Sequence, residues 1–328
     1  MTPLMPDSRP IHAERAVQPS FRKMMPVQVV ILWAAVLAFH SWAGGLPNRI
    51  ELGVRNSPIA FTPVRLDPKD FGPLRLVGAW QVASADPRFG GLSALVTDGD
   101  QLIALSDSGV LVRFGKPGSD GALAQIWELP DGPGDPRFKS NRDSEALVRD
   151  PLGRGWWVAF ENRNEIWLYD LPFERALARV PLRQKGLGVN TGVEGMSAAP
   201  RGLWLFQETG RLLRLRLAAD AIDRIRLDDA YGRLSDAAVL PDGRTLVLAR
   251  NITLSGFRSQ LLELVRERSS GELELRPFAP LGVGPFDNME GLAIERRAGG
   301  SRLWLVTDDN KQRPMRTLLV ALDLPERP

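Results

Sequence analysis

The chain has 328 residues, 44% hydrophobic and 25% charged, which is the composition of an ordinary globular protein. Its formal net charge is only +3, so composition gives no electrostatic basis for binding nucleic acid. Cysteine is absent, which excludes disulfides, thiolate zinc sites and a cysteine nucleophile.

The first predicted element is an export signal. Residues 1–23 are polar and end in basic residues, and the apolar run 24–39 is shorter than the roughly 20 residues that a membrane-spanning helix needs. Ser41 and Ala43 then place small residues where a signal peptidase requires them. We interpret residues 1–43 as a signal peptide or, if uncleaved, an N-terminal anchor. The remainder is expected in the periplasm or outside the cell, with membrane contact only through this segment.

Both histidines, His12 and His40, lie in that segment, so the rest of the chain has none. This excludes a Ser-His-Asp triad and a histidine-liganded zinc site in the exported part. The stretch 195–199 (GMSAA) also lacks the final glycine of a G-x-S-x-G elbow, which disfavours a serine esterase. Any chemistry must use carboxylates, arginine, lysine, tyrosine, hydroxyls or a metal held by oxygen ligands.

A repeat of short apolar strands follows a proline-rich lead-in over residues 44–73. Five segments share an apolar or small residue, then an acid, then Gly or Ala, then an apolar residue, and one of the five has serine in place of the acid. Successive positions are 52, 49, 42 and 54 residues apart, which suits four-stranded propeller blades. The repeated positions are Ser93, Glu145, Glu194, Asp236 and Glu290.

The pattern predicts an all-β fold, a β-propeller of four-stranded antiparallel blades over residues 74–328. Five blades carry the motif, and the total is five or six. The strand at residues 74–82 could close the last blade, and the lead-in 44–73 could form a partial sixth blade or a wrap.

Each repeat continues through a turn into a second apolar strand that ends in a polar residue. Because a hairpin brings the start of one strand beside the end of its partner, the two ends should lie about 5 Å apart. The first strands of all blades line the channel, so we expect an inner ring of the five repeated positions at one end of it. The second strands should supply an outer ring: Asp107, Glu161, Glu208, Arg250 and Asp308.

A large apolar residue stands four positions before each of these strand ends, and three of the five are Trp157, Trp204 and Trp304. We expect them to be wedges between blades, since aromatic side chains dominate cores. The alternative is a stacking surface for a sugar or a base.

So many carboxylates at one place need protonation, nearby arginine or a bound cation. Without histidine or cysteine, an all-oxygen site selects a hard ion, calcium first and magnesium or manganese second. The alternative is that the acids only hydrogen-bond loop amides and fix the blade ends. Arg250 could be a counter-charge or an anion clamp, and Arg142, Lys311 and Arg313 are further basic residues predicted near the same end. The predicted metal ligands are Asp107, Glu145, Glu161, Glu194, Glu208, Asp236, Glu290, Asp308 and Asp309.

An ordered set of motifs in the chain resembles the phytase-like family, which is described by an esterase-like activity of phytase. The motifs are GGLSALVTDGD, RDSEALV, NTGVEGMS with LFQE, LSDAAVLPDG, and NMEGLAI with LVTDDN. The resemblance extends over roughly residues 74–325 and implies phosphoester or phosphodiester hydrolysis by an exported protein. The positions that match the family's motifs are Glu145, Glu161, Glu194, Glu208, Asp236, Arg250, Glu290, Asp308 and Asp309.

The leading hypothesis is a monomeric, metal-dependent phosphoester or phosphodiester hydrolase that takes a small anionic or ester substrate. Glu194 or Glu290 would be the general base, and Arg250 would stabilise the phosphoryl oxygens. The alternatives are a non-catalytic envelope propeller that binds a protein or glycan, and a metal-dependent carboxylic-ester or lactone hydrolase.

Overall fold

The computed structural model describes residues 49–118, 122–182, 192–208, 210–227, 231–266 and 272–326. The predicted signal or anchor, residues 1–43, lies outside this range. Residues from Gly44 onward form a compact unit of their own. Among the described residues, no helix is both long enough and apolar enough to cross a membrane.

The described residues form five four-stranded antiparallel blades arranged as a propeller. Blades 1 and 2 run from the inner to the outer strand in chain order. Blade 1 comprises β3 (Leu92–Asp98), β4 (Gln101–Ser106), β5 (Val110–Gly115) and β6 (Leu123–Glu128). Blade 2 comprises β7 (Ser144–Arg149), β8 (Gly155–Phe160), β9 (Glu165–Asp170) and β10 (Ala176–Pro181).

Blades 3 and 4 repeat the same order. Blade 3 comprises β11 (Val193–Ala199), β12 (Gly202–Gln207), β13 (Arg211–Arg216) and β14 (Ala221–Arg226). Blade 4 comprises β15 (Arg233–Val239), β16 (Thr245–Thr253), β17 (Gly256–Arg266) and β18 (Leu273–Leu281). Two short 3₁₀ helices, η1 (Pro68–Phe71) and η2 (Lys139–Asn141), lie in connections.

Blade 5 is built from both ends of the described chain. It comprises β19 (Asn288–Arg297), β20 (Gly300–Asp308), β21 (Leu318–Pro325) and, as its outer strand, β2 (Arg75–Ser84). The predicted closing strand is therefore present, and the described residues form no sixth blade. The lead-in instead supplies β1 (Arg55–Pro63), which pairs with β2 of blade 5 and with β6 of blade 1.

The five inner strands β3, β7, β11, β15 and β19 pack side by side in a closed ring, because β19 also contacts β3. We call the end of the channel at which these strands begin the mouth. Strands such as β8, which reads GWWVAF and is buried throughout, are apolar on both faces because each blade is covered by two neighbours. Positive φ angles at Gly99 and Gly243 close the turns between β3 and β4 and between β15 and β16, each at an Asp-Gly pair.

The predicted tryptophan wedges are confirmed. Trp157 and Trp304 are each 2% exposed and Trp204 is 8% exposed, and all three belong to clusters that join adjacent blades. The Trp157 indole donates to Asp150 over 2.8 Å, which satisfies its only polar atom. These rings are core residues and present no stacking surface to a ligand.

Candidate functional site

Every blade carries a β-bulge at the start of its inner strand. One residue there has no partner on the second strand, and in four blades it is the predicted position: Ser93, Glu145, Glu194 and Glu290. In blade 4 the register skips Ser235, and Asp236 pairs with Leu248. The predicted inner ring is therefore wrong by one residue in blade 4, because the bulge takes the serine and not the acid.

The two serines of the bulge ring join neighbouring blades. The Ser93 hydroxyl donates to the Ser144 carbonyl over 2.6 Å, and the Ser235 hydroxyl donates to the Met289 carbonyl over 3.3 Å. Each acceptor is the residue immediately before the bulge glutamate of the next blade. The serines thus position the glutamates, and the inner ring contributes three carboxylates.

Asp236 has a structural role in place of the predicted ligand role. Its carboxylate accepts the Leu292 amide of blade 5 over 2.7 Å and its neighbouring Ala237 amide over 2.8 Å. Burial raises the pKa of Asp236, and the two amide bonds act against that rise. Since both oxygens are occupied by main-chain donors, the side chain fastens blade 4 to blade 5.

The outer ring lies at the level that hairpin closure predicts. The Glu161 amide donates to the Asp143 carbonyl and the Asp107 amide to the Gly91 carbonyl, each over 2.8 Å. Further round the ring, Arg250 pairs with Arg233 and Asp308 pairs with Asn288. In blade 3, Gln207 pairs with Val193, so Glu208 follows directly after the last paired residue of β12. All five outer positions therefore stand beside the bulges at the mouth: Asp107, Glu161, Glu208, Arg250 and Asp308.

The tightest cluster of acids belongs to blade 2. Asp143, Glu145 and Glu161 each place a carboxylate oxygen within 4.8 Å of the others, and all three are half-buried. Two charges at that separation repel by about 3 kcal/mol at an effective dielectric constant of about 20. The triad can hold a metal ion. Sequence reasoning missed Asp143, although it directly faces Glu161 across the hairpin and lies two residues before Glu145.

Burial and mutual repulsion shift the titration of the ring. Burial, then the charge of Asp143, raises the pKa of Glu161 to about 7. Burial also raises the pKa of Glu145, with Asp143 and Glu194 adding to the effect. Since a carboxylate must lose its proton to bind a metal, a cation at this site would displace protons near neutral pH.

Lys139 supplies a cation to the blade 1 and blade 2 side of the site. Its ammonium lies 2.9 Å from Asp107 Oδ2 and 3.1 Å from Asp143 Oδ1. Burial lowers the pKa of Lys139, but the charges of Asp107, Asp143 and Glu145 outweigh burial and raise it overall. The ammonium therefore stays protonated between blades 1 and 2.

Arg250 supplies a further cation on the blade 4 and blade 5 side of the ring. Its Nη1 donates to both Glu290 and Asn288, and the Arg250 side chain is 14% exposed. Burial raises the pKa of Glu290 to about 7, against the lowering effect of Arg250. This trio fixes the guanidinium at the mouth. Asn288, like Asp143, lies two residues before a bulge glutamate.

Glu194 stands between these two halves. It is 8% exposed and accepts no hydrogen bond or ion pair from any described residue. Burial raises its pKa, and the nearby charges of Glu161 and Glu290 add to that rise. Its outer-ring neighbour Glu208 is engaged by Arg233 over 2.7 Å.

The two adjacent acids of blade 5, Asp308 and Asp309, have different roles: Asp308 belongs to the outer ring and Asp309 fastens a loop. Burial, then Asp107, raises the pKa of Asp308, which is 7% exposed and accepts the Asn310 amide. Asp309 accepts the Gly91 amide over 2.8 Å and the Thr317 hydroxyl over 3.0 Å. Asp309 therefore fastens a loop, and its oxygens are already occupied.

Among the described residues, the side chains of the other basic residues predicted near the mouth form no ion pair with the ring acids, although the Lys311 amide donates to Asp309. Arg142 is buried and donates to the Pro133 and Gly134 carbonyls, and the Lys311 ammonium donates to the Arg88 carbonyl over 3.3 Å. Arg313 is exposed.

The donor set suits a hard divalent cation. The atoms available at the mouth are carboxylate oxygens, which calcium, magnesium and manganese prefer. Asp107 Oδ1 is buried and has no hydrogen-bond partner among the described residues, although Lys139 engages the other oxygen. An unsatisfied buried oxygen is what an absent ligand would leave behind.

Fold and site together define a β-propeller with an acidic channel mouth. The sequence profile of the phytase-like family, described as "Esterase-like activity of phytase", matches residues 87–311, and the chain belongs to this family. No curated protein matches the sequence.

Several solved structures resemble the chain at low identity. Virginiamycin B lyase from Staphylococcus aureus shares 10% identity over 81% of this chain and 100% of that chain, with a TM-score of 0.44. Myxococcus xanthus glutaminyl cyclase shares 12% identity over 77% of this chain and 97% of that chain, with a TM-score of 0.47. The WD40 repeats of RRP9 share 7% identity over 79% of this chain and 99% of that chain, with a TM-score of 0.41.

Proposed function

We propose that the protein is an exported, metal-dependent hydrolase of a phosphoester or phosphodiester, with its active site at the propeller mouth. The observation that carries the proposal is the triad of Asp143, Glu145 and Glu161, whose oxygens lie within 4.8 Å of one another. Calcium is the favoured ion because it accepts irregular, oxygen-rich coordination, and magnesium or manganese is second. Membership of the phytase-like family supports the reaction class.

The chain's own residues prepare the cation site. Asp143 is oriented by Lys139, over 3.1 Å, and by the Asn162 amide. Glu145 projects from a bulge whose preceding carbonyl is held by Ser93. When bound, a divalent cation supplies positive charge that polarises a phosphoryl oxygen and neutralises charge in the transition state.

Glu194 is the favoured general base of the two glutamates that the sequence singled out. Glu290 is held by Arg250 and Asn288, so it serves to orient the guanidinium. Glu194 has no such partner among the described residues and is almost fully buried. Burial raises the pKa of Glu194, which makes its ionised carboxylate a stronger base toward an attacking water.

Arg250 is placed to stabilise the phosphoryl oxygens. Its Nη1 is fixed by Glu290 and Asn288, so the guanidinium needs little reorganisation when an anionic group arrives. Arginine also matches phosphate geometry better than a point charge does. We expect the substrate to be a small anionic ester. In this proposal the protein is a monomer that meets its substrate in the periplasm or outside the cell.

Hydrolysis of a carboxylic ester is the second candidate, because the family description names an esterase-like activity. The same cation and Glu194 would serve that reaction. Arg250 separates the two candidates, since a neutral ester presents no anionic oxygens to the guanidinium before the reaction begins.

The proposal is tested on the full-length protein after chelation and dialysis. Turnover of bis(p-nitrophenyl) phosphate, p-nitrophenyl phosphate and p-nitrophenyl acetate is measured with calcium, magnesium or manganese added back. The matched variants are Glu194→Gln at the mouth and Glu174→Gln in an exposed turn of blade 2.

We expect calcium-dependent phosphate-ester turnover that Glu194→Gln reduces at least 100-fold and Glu174→Gln leaves unchanged. Turnover of the acetate alone favours the second candidate. Cation binding without turnover of any ester would favour a non-catalytic propeller that binds a protein or glycan.

A further inference from the structure

The central hairpin of blade 4 is longer than its counterparts in blades 1 to 3. Strands β16 and β17 have nine and eleven residues, whereas β4, β5, β8, β9, β12 and β13 have six each. Arg250 marks the level of the outer ring on β16. The hairpin therefore extends past the mouth by residues 251–258.

This extension carries exposed apolar side chains. Ile252 is 52% exposed and Leu254 is 81% exposed, and Phe286 in the adjoining connection is 53% exposed. Ile252 pairs with Phe257 across the hairpin, and the Phe257 amide donates to the Pro285 carbonyl over 2.8 Å, so the backbone brings the hairpin next to Phe286. We call Ile252, Leu254, Phe257 and Phe286 the apolar ledge.

The ledge is held in place by the backbone beneath it. Gly256 has a φ of 110°, and a Cβ atom at that position would lie 2.1 Å from the Pro285 oxygen. Only glycine permits this close approach of the hairpin to the connection. Asp287, next to Phe286, is clamped by Arg316 through bonds of 2.8 and 2.9 Å.

The ledge is continuous with the site. Arg250 and Ile252 lie two residues apart on β16, so their side chains share a face of the strand. That face is directed to blade 5, where Arg250 contacts Asn288 and Glu290. A ligand whose anionic group reaches Arg250 would place a neighbouring substituent against Ile252.

We propose that the ledge binds an apolar alkyl or aryl group of the ester, so that the substrate is an amphiphilic phosphoester or phosphodiester. The inference rests on the proposed function. Two observations identify the occupant of the ledge. The ledge adjoins the site on β16, and Arg250 complements the charge of an anionic head group while the ledge complements an apolar tail. Contiguous apolar surface next to a polar site is typical of ligand-binding surfaces.

The test compares methyl and octyl p-nitrophenyl phosphate, which share a leaving group and a charge. The variant is Ile252→Ser/Leu254→Ser/Phe286→Ser, and the control is Leu152→Ser, an equally exposed leucine (65%) in the β7–β8 turn at the other end of the propeller. We expect wild type to prefer the octyl ester by about tenfold in kcat/KM, mainly through KM. The triple variant should lose that preference and retain methyl-ester turnover, whereas Leu152→Ser should change neither.

Binding of octyl phosphate and methyl phosphate by calorimetry separates failure of the ledge from failure of the proposed function. If wild type binds octyl phosphate more tightly than methyl phosphate and the triple variant does not, the ledge is supported even if no ester is turned over. Equal binding of the two phosphates, or an octyl preference that survives in the triple variant, overturns it. Dimerisation that is lost in the triple variant would assign the ledge to a second copy of the chain and also overturn the proposal.

Discussion

The ammonium of Lys139 lies between Asp107 of blade 1, at 2.9 Å, and Asp143 of blade 2, at 3.1 Å. One side chain from the connection between the two blades thereby offsets repulsion between acids that the fold brings together. It also occupies space beside Asp143, a member of the carboxylate triad that can hold a metal ion.

Replacing Lys139 by methionine should destabilise the metal-free protein and strengthen its response to calcium. The change removes the only cation beside Asp107 and Asp143 among the described residues, so the bare carboxylates repel more strongly. We expect a lower Tm without metal and a larger calcium-induced rise in Tm, both measured by differential scanning calorimetry. Lys116→Met, which breaks the pair with Glu295 away from the mouth, should leave the calcium-induced rise unchanged. A smaller calcium response in Lys139→Met would contradict this role.

Stability of the metal-free protein should fall as pH rises from about 4.5 to about 7. Burial raises the pKa of Glu161 and of Glu290 from 4.5 to about 7, so the folded state holds more protons than the unfolded state in that window. The stability contributed by these two groups therefore decreases with rising pH until both are ionised, above about 7.

The measurement is Tm against pH after chelation, with an expected fall on the order of 5 °C. Glu161→Gln should flatten the curve, because glutamine does not titrate. Calcium should flatten it as well. A metal-free Tm that rises over the same window would show that the ring acids are stabilised as anions.

Arg49 should position the blade 1 side of the site. Its side chain is 1% exposed, and its guanidinium donates to the carbonyls of Ser108 (2.7 Å), Gly109 (3.2 Å) and Pro136 (3.2 Å). The first two follow Asp107 directly, and Pro136 precedes η2, which carries Lys139. Arg49 lies in the lead-in, outside the family-matched residues 87–311.

Arg49→Met should therefore weaken calcium binding about tenfold in calorimetry, and Arg49→Lys should restore part of the affinity. Arg75→Met, which removes an exposed partner of Asp323, is the control and should not change calcium affinity. If Arg49→Met lowered Tm but left the calcium Kd unchanged, Arg49 would be a purely structural residue.

Asp236→Asn should cost stability without affecting cation binding. The substitution replaces one of the two oxygens that accept the Leu292 and Ala237 amides, and a lost buried hydrogen bond costs about 1–3 kcal/mol. Chemical denaturation measures the loss, and calcium calorimetry provides the comparison. A weaker calcium Kd in Asp236→Asn would return Asp236 to the ligand set.

The positions that sequence reasoning located are those determined by local hairpin geometry. The closing of each first hairpin places Glu161 beside the Glu145 bulge whatever the rest of the chain does, so counting from turn to turn was sufficient. The closing strand β2 was recognisable for a similar reason, since an apolar strand was needed to complete the last blade.

The positions that sequence reasoning missed depend on contacts between blades. The bulge in blade 4 falls on Ser235 because its hydroxyl reaches Met289 in blade 5, and no pattern within blade 4 reveals that partner. Lys139 reaches Asp107 only through the path of a loop. The double pairing of β1 across blades 5 and 1 is likewise non-local.

The presence of a cation site at the mouth is tested most directly by calcium calorimetry on the chelated protein. The variant is Asp143→Asn/Glu145→Gln/Glu161→Gln, and the control is Glu174→Gln. We predict saturable binding in wild type and in the control, and its loss in a triple variant that still unfolds cooperatively. Calcium binding of equal affinity in the folded triple variant, or none in wild type, would contradict the assignment of a cation site to the mouth.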